Sequence, residues 1–140
     1  MMYSTNYDCW LEAQIDNLHR RDYANLDADN LILELEALGR AEKSAVKSLV
    51  YQILLHLLLI DYWQEESKYS ADHRRAEIDA FQLQLEDRLT TNLLELVEDN
   101  LARLYAKARL NAARKSRLSA ERFPLDCPYS IEAIVKSTNS

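Results

Sequence analysis

The chain has 140 residues, 48% of them hydrophobic and 29% charged, with one glycine, two prolines, two cysteines and a net charge of −6 from 23 acidic and 17 basic side chains. Such a hydrophobic share excludes disorder, so few glycines and prolines exclude the many tight turns of a sandwich or barrel, and the acidic balance opposes a wholesale electrostatic nucleic-acid binder. What remains is one all-helical domain over residues 1–140, and these counts name no activity.

Tyr7, Trp10, Leu11, Ile15 and Leu18 recur at helical spacing and predict a first helix from about Asn6 to Arg21 with those side chains inward. Asp22 to Leu26 breaks the rhythm, and Asp27 is placed to cap a second helix whose first turn gains favourable charge from Asp29. From there Leu31, Leu35, Leu38, Val46, Leu49, Ile53, Ile60 and Trp63 keep one phase, with Gly39 inside it. A straight helix from Asp27 to Gln64 would measure about 57 Å, against a radius of gyration of about 14 Å for a compact chain of this size. Either the helix bends near Gly39, or it extends and a partner subunit covers it.

Past Val50 the apolar residues occupy the whole helix circumference, which marks Arg40 to Trp63 as the central element of a bundle. Its longest apolar run, Ile53 to Ile60, is eight residues broken by His56, against the roughly 20 that a bilayer span requires. A core helix is therefore expected, with no membrane partner. The N-terminus has neither the basic nor the apolar portion of a secretory leader, so a cytoplasmic location is expected. Cys9 and Cys127, which show no metal-binding spacing, are then expected to stay reduced, a disulfide between them being the competing reading.

Tyr62 to Tyr69 is polar and aromatic, and from Ser70 or Asp72 a helix is expected to about Thr90 with Ala76, Phe81, Leu85 and Leu89 inward. Asn92 and Glu95 resemble a capping box that opens a helix to about Ser116, with Leu94, Val97, Leu101, Leu104, Tyr105, Ala108 and Ala112 inward. Pro124 and Pro128 confine an extended crossing to residues 123–129, after which Ser130 and Glu132 cap a last short helix. The fold class is thus all-α, a bundle of four to five helices. Tyr3, Tyr23, Tyr62, Tyr69 and Tyr129 fall at helix ends or connections, where their rings are expected to seal the bundle with the hydroxyls wet.

Four stretches in this order resemble the domain of unknown function 29 family, small helical proteins found mostly in photosynthetic bacteria, chiefly cyanobacteria. They are Tyr7-Asp8-Cys9-Trp10-Leu11; Leu26-Asp27-Ala28-Asp29-Asn30-Leu31-Ile32 leading to Glu36-Ala37-Leu38-Gly39-Arg40; Leu54-Leu55-His56-Leu57-Leu58; and Phe123-Pro124-Leu125-Asp126-Cys127-Pro128-Tyr129. The resemblance spans nearly the whole chain and implies an all-helical domain with no established activity. Where that family often has basic and aromatic residues after its core helix, this chain has Glu65-Glu66-Ser67-Lys68-Tyr69.

Three features bear on function. His56 shares the apolar face of Leu49, Ile53, Ile60 and Trp63, and a buried neutral histidine needs a hydrogen-bond partner; a metal ligand or a partner-facing group is the competing reading. Helical carboxylate metal sites usually show Glu-x-x-His pairs, and the chain has none. Glu42 falls on the same stripe, where it is exposed if the helix bends there and otherwise calls for an ion pair or lines a pocket with His56 and Trp63. The sign of charge then reverses along the chain, with seven acidic residues and one basic from Glu77 to Asp99, and seven basic and one acidic from Arg103 to Arg122.

On a helix Arg103, Lys107, Arg114 and Arg117 lie within about 80° of one another and away from the Leu101, Leu104 and Ala108 face. This basic stripe reads as a solvated helix end that complements the dipole, a surface for an acidic protein or a second subunit, or a set of phosphate contacts. No glycine-rich phosphate loop, HExxH or GxSxG occurs. The expectation is a non-enzymatic protein–protein interaction or regulatory accessory module that self-associates as a homodimer and takes no cofactor. The alternatives are a nucleic-acid-binding or toxin–antitoxin-type accessory protein using the basic stripe, and an enzyme or metal site around His56.

Overall fold

The computed structural model describes residues 6–136, and among them are five α-helices, two single-turn 3-10 helices and no strand. Helix α1 is Tyr7–His19, α2 Ala28–Tyr62, α3 Lys68–Arg88, α4 Thr91–Ser116 and α5 Ile131–Val135, with 3-10 turns at Tyr23–Asn25 and Ala120–Arg122. The chain divides into two compact units, Met1–Arg40 and Ala41–Ser140, with the boundary falling within the sequence of α2, whose helical bonding continues through Gly39.

Polar side chains organise the first unit. Gln14 Oε1 accepts the Asp27 N–H at 2.8 Å, and Asn17 Nδ2 donates to the Asn25 carbonyl at 3.2 Å, so α1 itself satisfies the backbone of the connection that follows it. Asp27 precedes α2 as expected, its carbonyl accepting from Leu31 N, while its carboxylate accepts from Asn30 Nδ2 and from the Trp10 indole, each at 2.8 Å. The Asn30 bond, then the Trp10 bond, hold that carboxyl below its ordinary range against an opposing effect of burial. The buried face of α1 is consequently Trp10, Gln14 and Asn17, whereas Tyr7, Ile15 and Leu18 are exposed. The expected inward set is corrected here. The connection's backbone groups must be paired, and only the amide-bearing face of α1 can pair them.

The second unit is built on the apolar girdle of α2. Val50, Ile53, Leu54, Leu58 and Leu59 have no accessible surface and form one cluster with Ile78 and Leu85 of α3, Val97, Tyr105 and Ala108 of α4, Phe123 and Ile134. By length and composition α2 would pass for a membrane span, with a window of mean hydropathy 1.4, yet in this unit its apolar side chains are the protein core. Ser67, Thr90 and Ser130 cap α3, α4 and α5, their hydroxyls accepting from Ser70 N, Leu93 N and Ala133 N. The cap of α4 is therefore Thr90 rather than Asn92.

On α3 the buried residues are Ile78, Gln82 and Leu85, while Ala76, expected inward, is exposed. Gln82 sets that rotation, since its Nε2 donates to the carbonyls of both Ala133 and Ile134 and ties α3 to α5. The proline segment crosses in extended form, with Phe123 buried, the Tyr105 hydroxyl donating to the Pro124 carbonyl at 2.5 Å and Arg109 Nε donating to the Phe123 carbonyl at 3.2 Å. Burial pushes the Tyr105 phenol up to about 12. Tyr62 and Tyr129 cover the core at helix ends, the Tyr129 hydroxyl on Asp61; Tyr23 and Tyr69 are exposed, and Tyr3 lies outside the described residues. Cys9 and Cys127 are both free thiols.

A Cβ on Gly39 would meet nothing within 4 Å. Gly39→Ala is expected to raise the stability of α2 by about 0.5–1 kcal/mol, because alanine has fewer unfolded conformations to lose. Urea unfolding followed by circular dichroism checks this, and a loss of stability would mean that the helix is not continuous there.

Candidate functional site

Within the second unit, four titratable side chains that the sequence reading did not bring together converge on His56. The ring is 5% exposed and stacks on Phe81 at 5.8 Å between centroids. Arg74 Nη1 stands 3.1 Å from His56 Nδ1, and Glu77 Oε2 stands 3.0 Å from Nε2. A guanidinium can only donate, so Nδ1 is the acceptor, and Nε2 carries the proton that it donates to Glu77. The imidazole is thus held neutral in one tautomer. Burial lowers its pKa first, Arg74 and Lys115 lower it further, and Glu77 opposes them.

The network extends in both directions. His73, one turn before Glu77 on α3, donates from Nε2 to Glu77 Oε1 at 2.9 Å. Arg74 Nε donates to Glu66 Oε1 at 2.6 Å, with both side chains nearly enclosed, and its guanidinium carbon sits 5.8 Å from the Trp63 ring centroid. Glu66 Oε2 is buried with no hydrogen-bond partner among the described residues. The acidic segment that departs from the family pattern thus supplies the counter-ion of Arg74, while Glu65 pairs with Arg122 on the surface at 3.2 Å.

A cavity of about 240 Å³ opens beside this network, lined by His56, Tyr69, Ser70, His73, Arg74, Glu77 and Lys115. Among the described residues no group of three or more His, Cys, Asp or Glu is placed to hold a metal ion. Of the three polar-core candidates, His56 and Trp63 are joined through Arg74. Glu42 is apart from them, its Oε1 accepting from Arg88 Nη1 at 2.8 Å on the half-exposed surface of the same unit. The ion-pair reading of Glu42 therefore replaces exposure at a bend. Arg103, Lys107, Arg114 and Arg117 are all exposed with no ion-pair partner among the described residues, and Lys107 Nζ lies 5.5 Å from the Tyr51 ring centroid. The spacing His73-x-x-x-Glu77 was visible in the chain, but the turn between α2 and α3 that faces it toward His56 was not.

Two outcomes follow from the network. Arg74→Met leaves Glu66 as an uncompensated buried carboxylate and is expected to cost about 3–5 kcal/mol, most of it recovered in the double variant with Glu66→Met; urea titrations of the four proteins measure this. His56 has a folded pKa below its unfolded value of about 6.5, so as pH falls through that value the unfolded chain takes up a proton that the native ring refuses. Native stability should decline from about pH 6.5 downward until the folded pKa is reached, and His56→Gln should flatten that part of the profile.

No curated protein and no solved structure matches the chain. A family model does, the one described as domain of unknown function DUF29, over residues 2–138. That span takes in the Trp10–Asp27 clasp, the girdled core helix with His56 and the proline crossing, the same places that carried the likeness in the sequence. With nearly the whole chain matched, the protein belongs to the DUF29 family.

Proposed function

We propose that the protein is a non-catalytic protein–protein interaction module whose N-terminal unit associates with a second copy of itself. The observation that carries this reading is how the first unit distributes its apolar groups. Among its described residues Trp10 is the one buried apolar side chain, accompanied by the polar Gln14 and Asn17, while Ile32, Leu33, Leu35 and Leu38 are each more than half exposed. Leu35 and Leu38 belong to the stripe that supplies Val46 and Ile53 further along α2; they are 63% and 57% exposed, whereas Val46 and Ile53 are fully covered. Units of about 40 residues or fewer seldom hold a fold on their own core and usually need oligomerisation, metal or disulfides.

Symmetry supports a copy of this chain as the occupant, because a two-fold contact sets one apolar patch against its equal. Glu36 and Arg40 lie on the far side of the helix, each about 160° around it from Leu38, and so leave this leucine patch uninterrupted by charge. Two helices packed antiparallel with Leu38 at the two-fold set Leu35 and Leu38 of each against those of the other. Each leucine is also counted twice, and full burial of one contributes about 1.5–3 kcal/mol.

Sedimentation equilibrium of the whole protein is expected to show a dimer. Leu35→Glu and Leu38→Glu are each expected to weaken it by about 100-fold or more, while Glu36→Lys and Arg40→Glu, on the opposite face of the helix, should leave it nearly unchanged. A monomer at high concentration, or a dimer indifferent to Leu35 and Leu38, would overturn the reading.

The exposed basic face of α4 supports a second reading, contact with nucleic-acid phosphates, because Arg103, Lys107, Arg114 and Arg117 are free of carboxylate partners in the described structure. Binding to duplex DNA or RNA that weakens steeply with salt, and disappears when the four are changed to glutamate, is its expected result. Absent or salt-independent binding would remove it.

A further inference from the structure

The cavity beside His56 lies in the second unit and plays no part in the self-association proposed for the first. We infer that it is a binding site for a small oxyanion, a ligand that presents phosphate or carboxylate oxygens. The hydrogen-bonding groups of the lining divide into those already engaged and those left to meet a ligand. Its carboxylate and its buried ring nitrogen are committed: Glu77 takes donors on both carboxylate oxygens, from His56 on Oε2 and from His73 on Oε1, and His56 Nδ1 faces the Arg74 guanidinium.

Its donors remain available. Lys115 lines the cavity as an exposed ammonium with no carboxylate in ion-pairing range among the described residues. Ser70 Oγ accepts from Ser67 Oγ, which leaves its own O–H to donate. Tyr69 is 83% exposed at the mouth, and its phenol makes no hydrogen bond among the described residues. Arg74, bound through Nε and Nη1, keeps further N–H groups of its five. A ligand rich in acceptors and carrying negative charge completes these groups, whereas a cation would compete with two histidines for Glu77.

The volume limits the occupant. At about 240 Å³ the space lies below the usual range for drug-sized ligands, roughly 300–1,000 Å³, and suits a single phosphate or carboxylate headgroup on a small body. The floor is preorganised, since His56 is locked by Arg74 and Glu77 and stacked on Phe81. An oxyanion would therefore meet an Arg74 guanidinium already held in place by His56 and Glu66, with little ordering left to do on binding.

The test is a titration of the whole protein with sodium phosphate, and separately with sodium acetate, at ionic strength held constant with sodium chloride, reading the imidazole resonances of His56 and His73 by NMR. Saturable shifts of both rings with at least one of the two anions are expected, and which anion saturates at lower concentration identifies the source. Lys115→Gln, at an exposed position that leaves the circular dichroism unchanged, should weaken that saturation by tenfold or more, Tyr69→Phe by less, and Lys43→Gln should leave it unaltered. Shifts that never saturate with either anion, or that saturate equally in Lys115→Gln, would overturn the inference.

Discussion

A helix that is apolar around its whole circumference has to be enclosed on every side, and the second unit follows from that requirement. From Val50 to Leu59 the core positions of α2 have lost essentially all contact with water, at about 25 cal/mol for each Å² of apolar surface removed. No single neighbour can cover a full circumference. Helices α3 and α4 take two sides, and the remainder falls to the extended crossing with Phe123 and to the short α5 with Ile134. That explains why a segment with two prolines and so little regular structure is fastened by Tyr105, Arg109 and Tyr129. It completes the enclosure, and its carbonyls need partners when they are covered.

The polar groups of this core sit where the enclosure would otherwise leave backbone or charge unsatisfied. Gln82 answers two carbonyls of the last helix, and Arg74, against the Trp63 face, neutralises the buried Glu66 and is linked through the His56 ring to Glu77 nearer the surface. Removing a single member of such a chain exposes the others to a low dielectric, so the network is unforgiving of single changes while contributing little net stability as a whole. Its outer end, where Glu77 and His73 reach solvent beside Lys115, is also the most open part of the unit's polar chemistry.

Period and punctuation in the chain made the helices legible. The apolar girdle after Val50, the end of α4 at Ser116, the proline crossing and the Ser130 cap all stand where the residue pattern places them. What periodicity misjudged was the rotation of two helices. On α1 and α3 the buried faces are fixed by Gln14, Asn17 and Gln82, amides whose partners are backbone groups distant in sequence. A hydrophobic count treats those amides as surface. His56 was legible as a polar intruder on an apolar stripe, but Glu66, His73, Arg74 and Glu77 were not, because their meeting depends on how the chain turns between α2 and α3. Glu42 was legible as a misfit, though its Arg88 partner comes from the far end of another helix.

The unbroken hydrogen bonding of α2 through Gly39 gives one helix two very different environments. Its backbone amides should accordingly exchange with solvent deuterium by two routes. Those before Gly39, flanked by uncovered leucines, are released by local fraying, whereas those around Ile53 and Leu54 wait for the core to unfold. Amide protection along this single helix is thus a residue-by-residue gauge of how much of it is covered, and its slow-exchanging stretch would lengthen toward the N-terminus only when something lies against Leu35 and Leu38.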